Sequence, residues 1–513
     1  MKILLAGPGT GKTSRVKEII ATDYPAAERI LVLSFTKATV RDLTSSFADH
    51  PNVECFTLHG YALKINHLKN RYILDGRREE YVLSDLAAAI EIDFSFFCEQ
   101  LNCITFDAMI TECFAFLKAN PVYGAEQVGQ LDLLIVDEYQ DFNPTERGLI
   151  EQIARFATET VILGDDDQSI YGFKDADPEG IIQLFEDRSV AKLDHANMCW
   201  RCPDVVIDHA RKLIGRNARR VEKAWNATGK PGTYATKQTL SQPEAVAYVI
   251  SEIEKARATN SEASFLVLSP MGLCVEGLVE ALLARAIPCV DFWSNPITPE
   301  DYIRVWWLRA IFTNRSVLNL LLLWKTLTPH FRKKLRGALK EAFNTGFNKA
   351  EVLGSIREMF DNALARHIGN PPTLNDFVEQ QPLYAELVAR LDEANLAALA
   401  DSLLADINPT KDFGRGCVNV MSIHKSKGLE AEVVFIVGLV DGVLPNDSHG
   451  IDTIEAQRRV LFVGVTRALG ALHLVSWVQW GDEVHKIDKS KFNYNYKKAC
   501  YYGKASRFVG EME

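Results

Sequence analysis

The chain has 513 residues, 47% of them apolar and 24% charged, which is the balance of a globular protein long enough for several domains. Its longest apolar runs, VLNLLLLW at 317–324 and VVFIVGLV at 433–440, fall well short of the ~18 residues of a membrane span. A net charge of −10 excludes a globally basic nucleic-acid binder but not a local basic groove, and ten cysteines without a framework spacing predict free thiols.

The chain opens on KILLA, residues 2–6, a short apolar run that predicts a buried strand and leaves no export signal ahead of it, so a cytoplasmic protein is expected. A glycine-rich stretch follows, then KTSRVKEII, whose Val16, Ile19 and Ile20 share one helical face. Strand, glycine loop, Gly-Lys-Thr and helix form the context of a phosphate-binding loop. Ala6, Gly7, Pro8, Gly9, Thr10 and Gly11 would present backbone N–H groups to an anion at a helix N-terminus. Lys12 would meet the β- and γ-phosphates of ATP, and Thr13 would ligate Mg²⁺.

Further along, LDLLIVDEYQD at 131–141 predicts a strand buried on both faces, with Asp137 at its C-terminal end to hold Mg²⁺ through water and Glu138 to orient or deprotonate the attacking water. TVILGDDDQSIYGF at 160–173 predicts a third strand, ending in Gln168, an amide able to sense the γ-phosphate. Cys199 and Cys202 form a CxxC with no second pair for zinc and no thioredoxin-like pattern around it. Basic clusters at 211–223, 330–340 and 486–504 read first as solvated faces or tails, with a binding surface as the alternative.

Taken together, AGPGTGKT, VDEYQD and GDDDQSIYGF resemble the motifs of UvrD/Rep/PcrA-like superfamily 1 DNA helicases. The similarity continues in ILVLSFTKATVRDL (30–43), CFTLHGYA (55–62), NMCWRCPDVVIDHA (197–210), VMSIHKSKGLEAEVVFIVGLVDGVLP (420–445), RRVLFVGVTRA (458–468) and the closing SRF, in the family's order. The resemblance implies an α/β fold of two RecA-like P-loop NTPase domains with mainly helical insertions. The first domain would comprise 1–61 and 104–196, the second 197–296 and 405–513, with insertions at 62–103 and 297–404.

By the same resemblance, Arg201 and Arg467 reach the γ-phosphate from the second domain, where they would stabilise charge on the transferred phosphoryl oxygens. Trp200 stands where the family places a tyrosine against adenine, and Glu430 matches a residue at the ribose. Phe35, Thr36, His59, Tyr171, Phe173, Lys174 and His424 match strand-contacting positions; Phe173 and Lys174 replace the family's usual tryptophan and arginine. The family's adenine-reading glutamine motif has no counterpart ahead of the first strand, which leaves the choice among nucleotides open. The implied function is an ATP-dependent helicase moving 3′→5′ on single-stranded DNA and acting at single-strand/duplex junctions, with no membrane partner. Two alternatives stay open: a single-strand-dependent translocase that remodels protein–DNA complexes or serves a partner nuclease, and a DNA-independent P-loop NTPase.

Overall fold

The structure is a computed structural model that describes residues 1–65, 71–74, 78–195, 197–293, 306, 317–348, 352, 414, 416–447, 454–481, 489–495, 498 and 500–513. Most of the predicted helical insertion at 297–404, including LYAELVARLDEANLAALADSLLA, lies outside the described residues. The chain forms two compact units, one of Met1–Ile65, Cys113–Ser294 and Phe413–Glu513, the other of Asn66–Glu112 and Asn295–Asp412.

The first unit holds two six-stranded, wholly parallel sheets. The strands of the first are β1 (Lys2–Leu5), β2 (Ile30–Ser34), β3 (Val53–Thr57), β4 (Leu131–Val136), β5 (Ala157–Gly164) and β6 (Ala191–Lys192), in the order β3-β2-β4-β5-β1-β6. β1, β2 and β4 are apolar almost throughout because parallel strands with helical crossovers are covered on both faces. The register pairs Leu5 with Gly164, Val136 with Ile162 and Ser34 with Thr57. The loops after these strands therefore open on one rim, where open α/β sheets bind ligands. After the glycine loop comes the helix Lys12–Glu18, and it ends in a wide π-helical turn, Ile19–Asp23; Val16, Ile19 and Ile20 are buried as their spacing predicts.

The strands of the second sheet are β7 (Thr233–Thr239), β8 (Phe265–Ser269), β9 (Cys289–Asp291), β10 (Val418–Ser422), β11 (Ala431–Val437) and β12 (Ala468–Trp477), in the order β9-β10-β8-β11-β12-β7. Helices Asp204–Ile214, Ile454–Val465 and Arg507–Met512 pack on this sheet, and Phe508 of the closing SRF is fully buried among them.

The second unit joins the two insertions. Helices Glu79–Ala89, Phe94–Gln100 and Val317–Leu322 contribute to one apolar core, tied by hydrogen bonds from Trp306 Nε1 to Glu79 Oε1 at 3.2 Å and from Trp324 Nε1 to the Val82 carbonyl at 3.1 Å. Among the described residues no helix is long and apolar enough to cross a membrane.

Candidate nucleotide and nucleic-acid site

Gly9 and Gly11 turn the loop after β1 with φ of +70° and +84°, a region that side chains disfavour. Gly9 is constrained a second way: a Cβ there would stand 2.5 Å from Arg201 Cβ and 3.1 Å from Cys199 Sγ. The segment after residue 197 thus lies directly on the loop. The Trp200 N–H donates to the Gly9 carbonyl at 2.9 Å, and Trp225 Nε1 donates to the Pro8 carbonyl at 2.8 Å. Thr10 Oγ1 closes the turn on the Gly7 carbonyl, Lys12 Nζ donates to the Ala6 carbonyl at 3.1 Å, and Thr13 is exposed at the start of the helix.

Next to the loop, β4 ends at Asp137, whose N–H donates to the Leu33 carbonyl at 2.8 Å. Glu138 follows in the left-handed region, φ 55° and ψ 42°, an uncommon state for a side-chain-bearing residue and one that marks functional sites. Gln140 clamps this turn: its Nε2 donates to Glu138 Oε2 at 2.5 Å while its Oε1 accepts from the Asp165 N–H at 2.9 Å. Burial, with the charge of Glu138 beside it, pushes the Asp137 carboxyl up to about 7. Burial also opposes charge on Glu138, but Lys427 and Lys12 outweigh it and hold that carboxyl below its usual range. Asp137 and Thr13 offer oxygen ligands, and a buried carboxyl short of positive charge is suited to a hard divalent cation.

Two cations from the second sheet reach this centre. Arg467 is 1% exposed. Its guanidinium donates to Gln168 Oε1 at 3.1 Å, Thr466 Oγ1 at 3.0 Å and the carbonyls of Val463 and Leu429. Burial, reinforced by the nearby Arg201 charge, lowers its pKa to about 9. Lys427, in the loop after β10, donates to Asp141 Oδ2 at 2.5 Å and to the Gln168 carbonyl at 2.7 Å, with Glu138 Oε2 3.8 Å away. Arg201 pairs with Glu430 at 2.7 Å, and Trp200 is 68% exposed.

On the rim a row of rings runs from one sheet to the other. Phe142 and Phe35 lie 5.5 Å apart, Phe35 and Tyr171 4.9 Å, Tyr171 and Phe173 5.9 Å, and Phe173 and His424 5.6 Å. Lys174 Nζ sits 5.5 Å from the Phe35 ring and 5.9 Å from that of Tyr171, and Phe173 is 63% exposed.

A family model described as the UvrD/REP helicase N-terminal domain matches residues 63–189, and one described as the UvrD-like helicase C-terminal domain matches residues 348–479. The chain belongs to the UvrD/Rep/PcrA-like helicases. Such an enzyme is a DNA helicase that hydrolyses ATP, and its two parallel sheets are the RecA-like pair of that family. "ATP-dependent DNA helicase PcrA" of Leuconostoc citreum is 23% identical over 73% of this chain, a match that spans only 58% of that relative's length. "DNA helicase II" of Rickettsia typhi is 23% identical over 99% of this chain and 93% of its own, and "ATP-dependent DNA helicase Rep" of Buchnera aphidicola is 25% identical over 74% and 69%.

In this helicase the structure brings Phe35, Tyr171, Phe173, Lys174 and His424 into one row, while Thr36 and His59 are set differently. Thr36 caps the helix Lys37–Ser46, its Oγ1 accepting from the Thr39 N–H at 3.1 Å, and His59 lies on the helix Leu58–Ile65 that follows edge strand β3. Sequence reasoning missed Lys427, Gln140, Asp141 and Trp225. For Lys427 the available signal was its place in the HKSKG loop after a buried strand, beside the chosen His424.

The basic stretch 211–223 is neither a solvated face nor a groove at its end. Lys223 Nζ lies 3.0, 2.6 and 2.7 Å from carboxylate oxygens of Asp165, Asp166 and Asp167, and Arg220 pairs with Asp167 at 2.7 Å. The three aspartates are close enough to hold a metal ion, but Lys223 and Arg220 already occupy their carboxylate oxygens and offset much of their charge. Removing one partner from a buried ion cluster strands the others. Lys223→Met is therefore expected to destabilise the protein by about 3–5 kcal/mol, read as a lowered chemical-denaturation midpoint. An unchanged midpoint would mean the aspartates find compensation elsewhere.

Proposed function

We propose that the chain is an ATP-driven motor that translocates on single-stranded DNA, 3′→5′, and separates duplex at single-strand/duplex junctions. The observation that carries this reading is the Arg467–Gln168 bond, which ties a guanidinium of the second domain to the amide beside Asp137 and Glu138 of the first. In the proposed mechanism the backbone N–H groups of residues 7–11 and the Lys12 ammonium take the phosphates of ATP. Thr13 and Asp137 would hold Mg²⁺, which supplies charge neutralisation on the phosphate oxygens. Glu138, kept ionised by Lys427 and Lys12, accepts the proton of the attacking water. Arg467 and Arg201 stabilise charge on the transferred phosphoryl group. The exposed Trp200 ring stacks on the base, and Glu430 meets the ribose.

Both arginines and Lys427 belong to the second domain, so hydrolysis depends on closure of the domains. The aromatic row also spans both, so a change in closure moves rings against the strand. Stacking is tolerant of sequence and worth about 1–3 kcal/mol per base. Phe173→Ala is expected to raise the concentration of single-stranded DNA needed for half-maximal ATPase stimulation roughly tenfold, leaving DNA-free turnover unchanged. An unaltered DNA response would make Phe173 a packing residue.

The reading is tested by ATPase rates with and without single-stranded DNA, followed by unwinding of 3′-tailed and 5′-tailed duplexes. Stimulation together with unwinding of the 3′-tailed substrate supports it. Stimulation without strand separation leaves a translocase that remodels protein–DNA complexes or serves a nuclease. Turnover indifferent to DNA removes the motor altogether.

A further inference from the structure

The mechanism makes no use of Cys199 and Cys202, yet their arrangement is specific. Both are fully buried free thiols. The Cys202 N–H donates to Cys199 Sγ at 3.4 Å, and Cys202 Sγ donates to the Thr466 carbonyl, one residue before Arg467. Immediately after the pair comes the eleven-residue helix Asp204–Ile214. Hydrogen bonds from Cys202, its thiol foremost, and from the Arg201 backbone lower the Cys199 thiol to about 6, while the bond to Cys199 and burial push Cys202 up. A low-pKa thiol that accepts a backbone N–H from its buried partner cysteine, with two residues between them ahead of a helix, is an arrangement suited to a dithiol that cycles with a disulfide. Cys98 and Cys103 are arranged differently: they stand five positions apart, and Cys103 Sγ donates to the Cys98 carbonyl at 3.5 Å.

The two residues inside the CxxC are Trp200 and Arg201. Cys199 Sγ faces Gly9, the Trp200 N–H is bonded to the Gly9 carbonyl, and Arg201 is paired with Glu430. A covalent link across this segment fixes the backbone that presents both side chains to the phosphate loop.

We infer that Cys199 and Cys202 form a redox-active pair whose oxidation to an intramolecular disulfide slows nucleotide turnover. The effect on turnover rests on the proposed nucleotide seam, whereas the disulfide itself does not. With hydrogen peroxide as oxidant, the Cys199 thiolate attacks one peroxide oxygen, and the O–O bond breaks. Cys199 becomes a sulfenic acid, and the departing hydroxide takes up the proton lost by its thiol to give water. The Cys202 sulfur then attacks the sulfenic sulfur, forming the S–S bond and releasing hydroxide, which takes the Cys202 proton as a second water. Two electrons pass from the thiols to the peroxide, and a dithiol reductant reverses the change. Cys199 is buried against Gly9, so its oxidation requires the segment to lift from the phosphate loop.

The test treats the full chain with graded hydrogen peroxide. Peptides are mapped after alkylation, and ATPase and affinity for a fluorescent ATP analogue are measured on the same samples. The expected result is a 199–202 link whose fraction tracks at least a fivefold loss of turnover, restored by dithiothreitol, with Cys98 and Cys103 still alkylated. Cys199→Ser and Cys202→Ser are expected to turn over like the reduced chain and to lose the reversible response. No 199–202 link at any peroxide concentration, or a link that leaves both turnover and nucleotide affinity unchanged, overturns the inference. A reduced chain without turnover fails the motor reading instead, and the link and its effect on affinity are still read directly.

Discussion

Arg467→Ala is expected to lower DNA-stimulated ATP turnover by about 10³–10⁵-fold, the range lost with an arginine that stabilises a phosphoryl-transfer transition state. The side chain sits at the seam, with its Nη2 on Gln168 Oε1 and its Nε on the Val463 carbonyl. An ordinary guanidinium stays charged well above physiological pH; here burial brings the pKa down to about 9, so near neutrality it remains a cation and the charge is available. The same burial makes the alanine variant prone to unfold, because the acceptors around it lose their donor. Arg467→Lys separates the two effects. It keeps a positive charge without the planar fork and should recover stability before it recovers rate. If the folded Arg467→Lys protein turns over like the parent, the guanidinium has no part in the chemistry.

Glu138→Gln is expected to bind nucleotide with near-parental affinity while turnover falls about 10²–10⁴-fold, the usual contribution of a positioned base. The substitution removes the charge but keeps the shape, and the turn that holds residue 138 at φ 55° is made by backbone and by Gln140. The carboxyl of Glu138 stays ionised mainly because Lys427 and Lys12 overcome its burial. Replacing Lys427 would remove that support and move the acid limb of the pH–rate profile upward, since an unpaired buried carboxylate takes up its proton more readily. Parental turnover in Glu138→Gln would assign the proton transfer to another group.

The sequence made the two ends of the site readable for different reasons. The phosphate loop was legible because its signal is local: an apolar strand, glycines able to take positive φ, then Lys12 and Thr13 opening a helix. β4 was legible because a short apolar run closed by acidic residues, downstream of a phosphate loop, fits a doubly covered strand with Asp137 just past its tip; apolarity alone does not decide it, since the run Val317–Leu322 is a helix. Lys223 was not legible, because its partners lie more than fifty residues away and meet it only through the order of strands. The capping role of the Thr36 hydroxyl was not legible either, because local spacing had not fixed where the helix Lys37–Ser46 begins. Trp225 was passed over for the same topological reason: nothing near it in the chain points to the Pro8 carbonyl.

Trp306 bonded to Glu79 and Trp324 bonded to Val82 carry a consequence for dissecting this protein. The two excursions from the motor are one module written in two places. Deleting either leaves the other with half an interior, exposing the leucines of Val317–Leu322 or of Glu79–Ala89 to water. A chimera that borrows the accessory region from another motor must therefore transplant both stretches together.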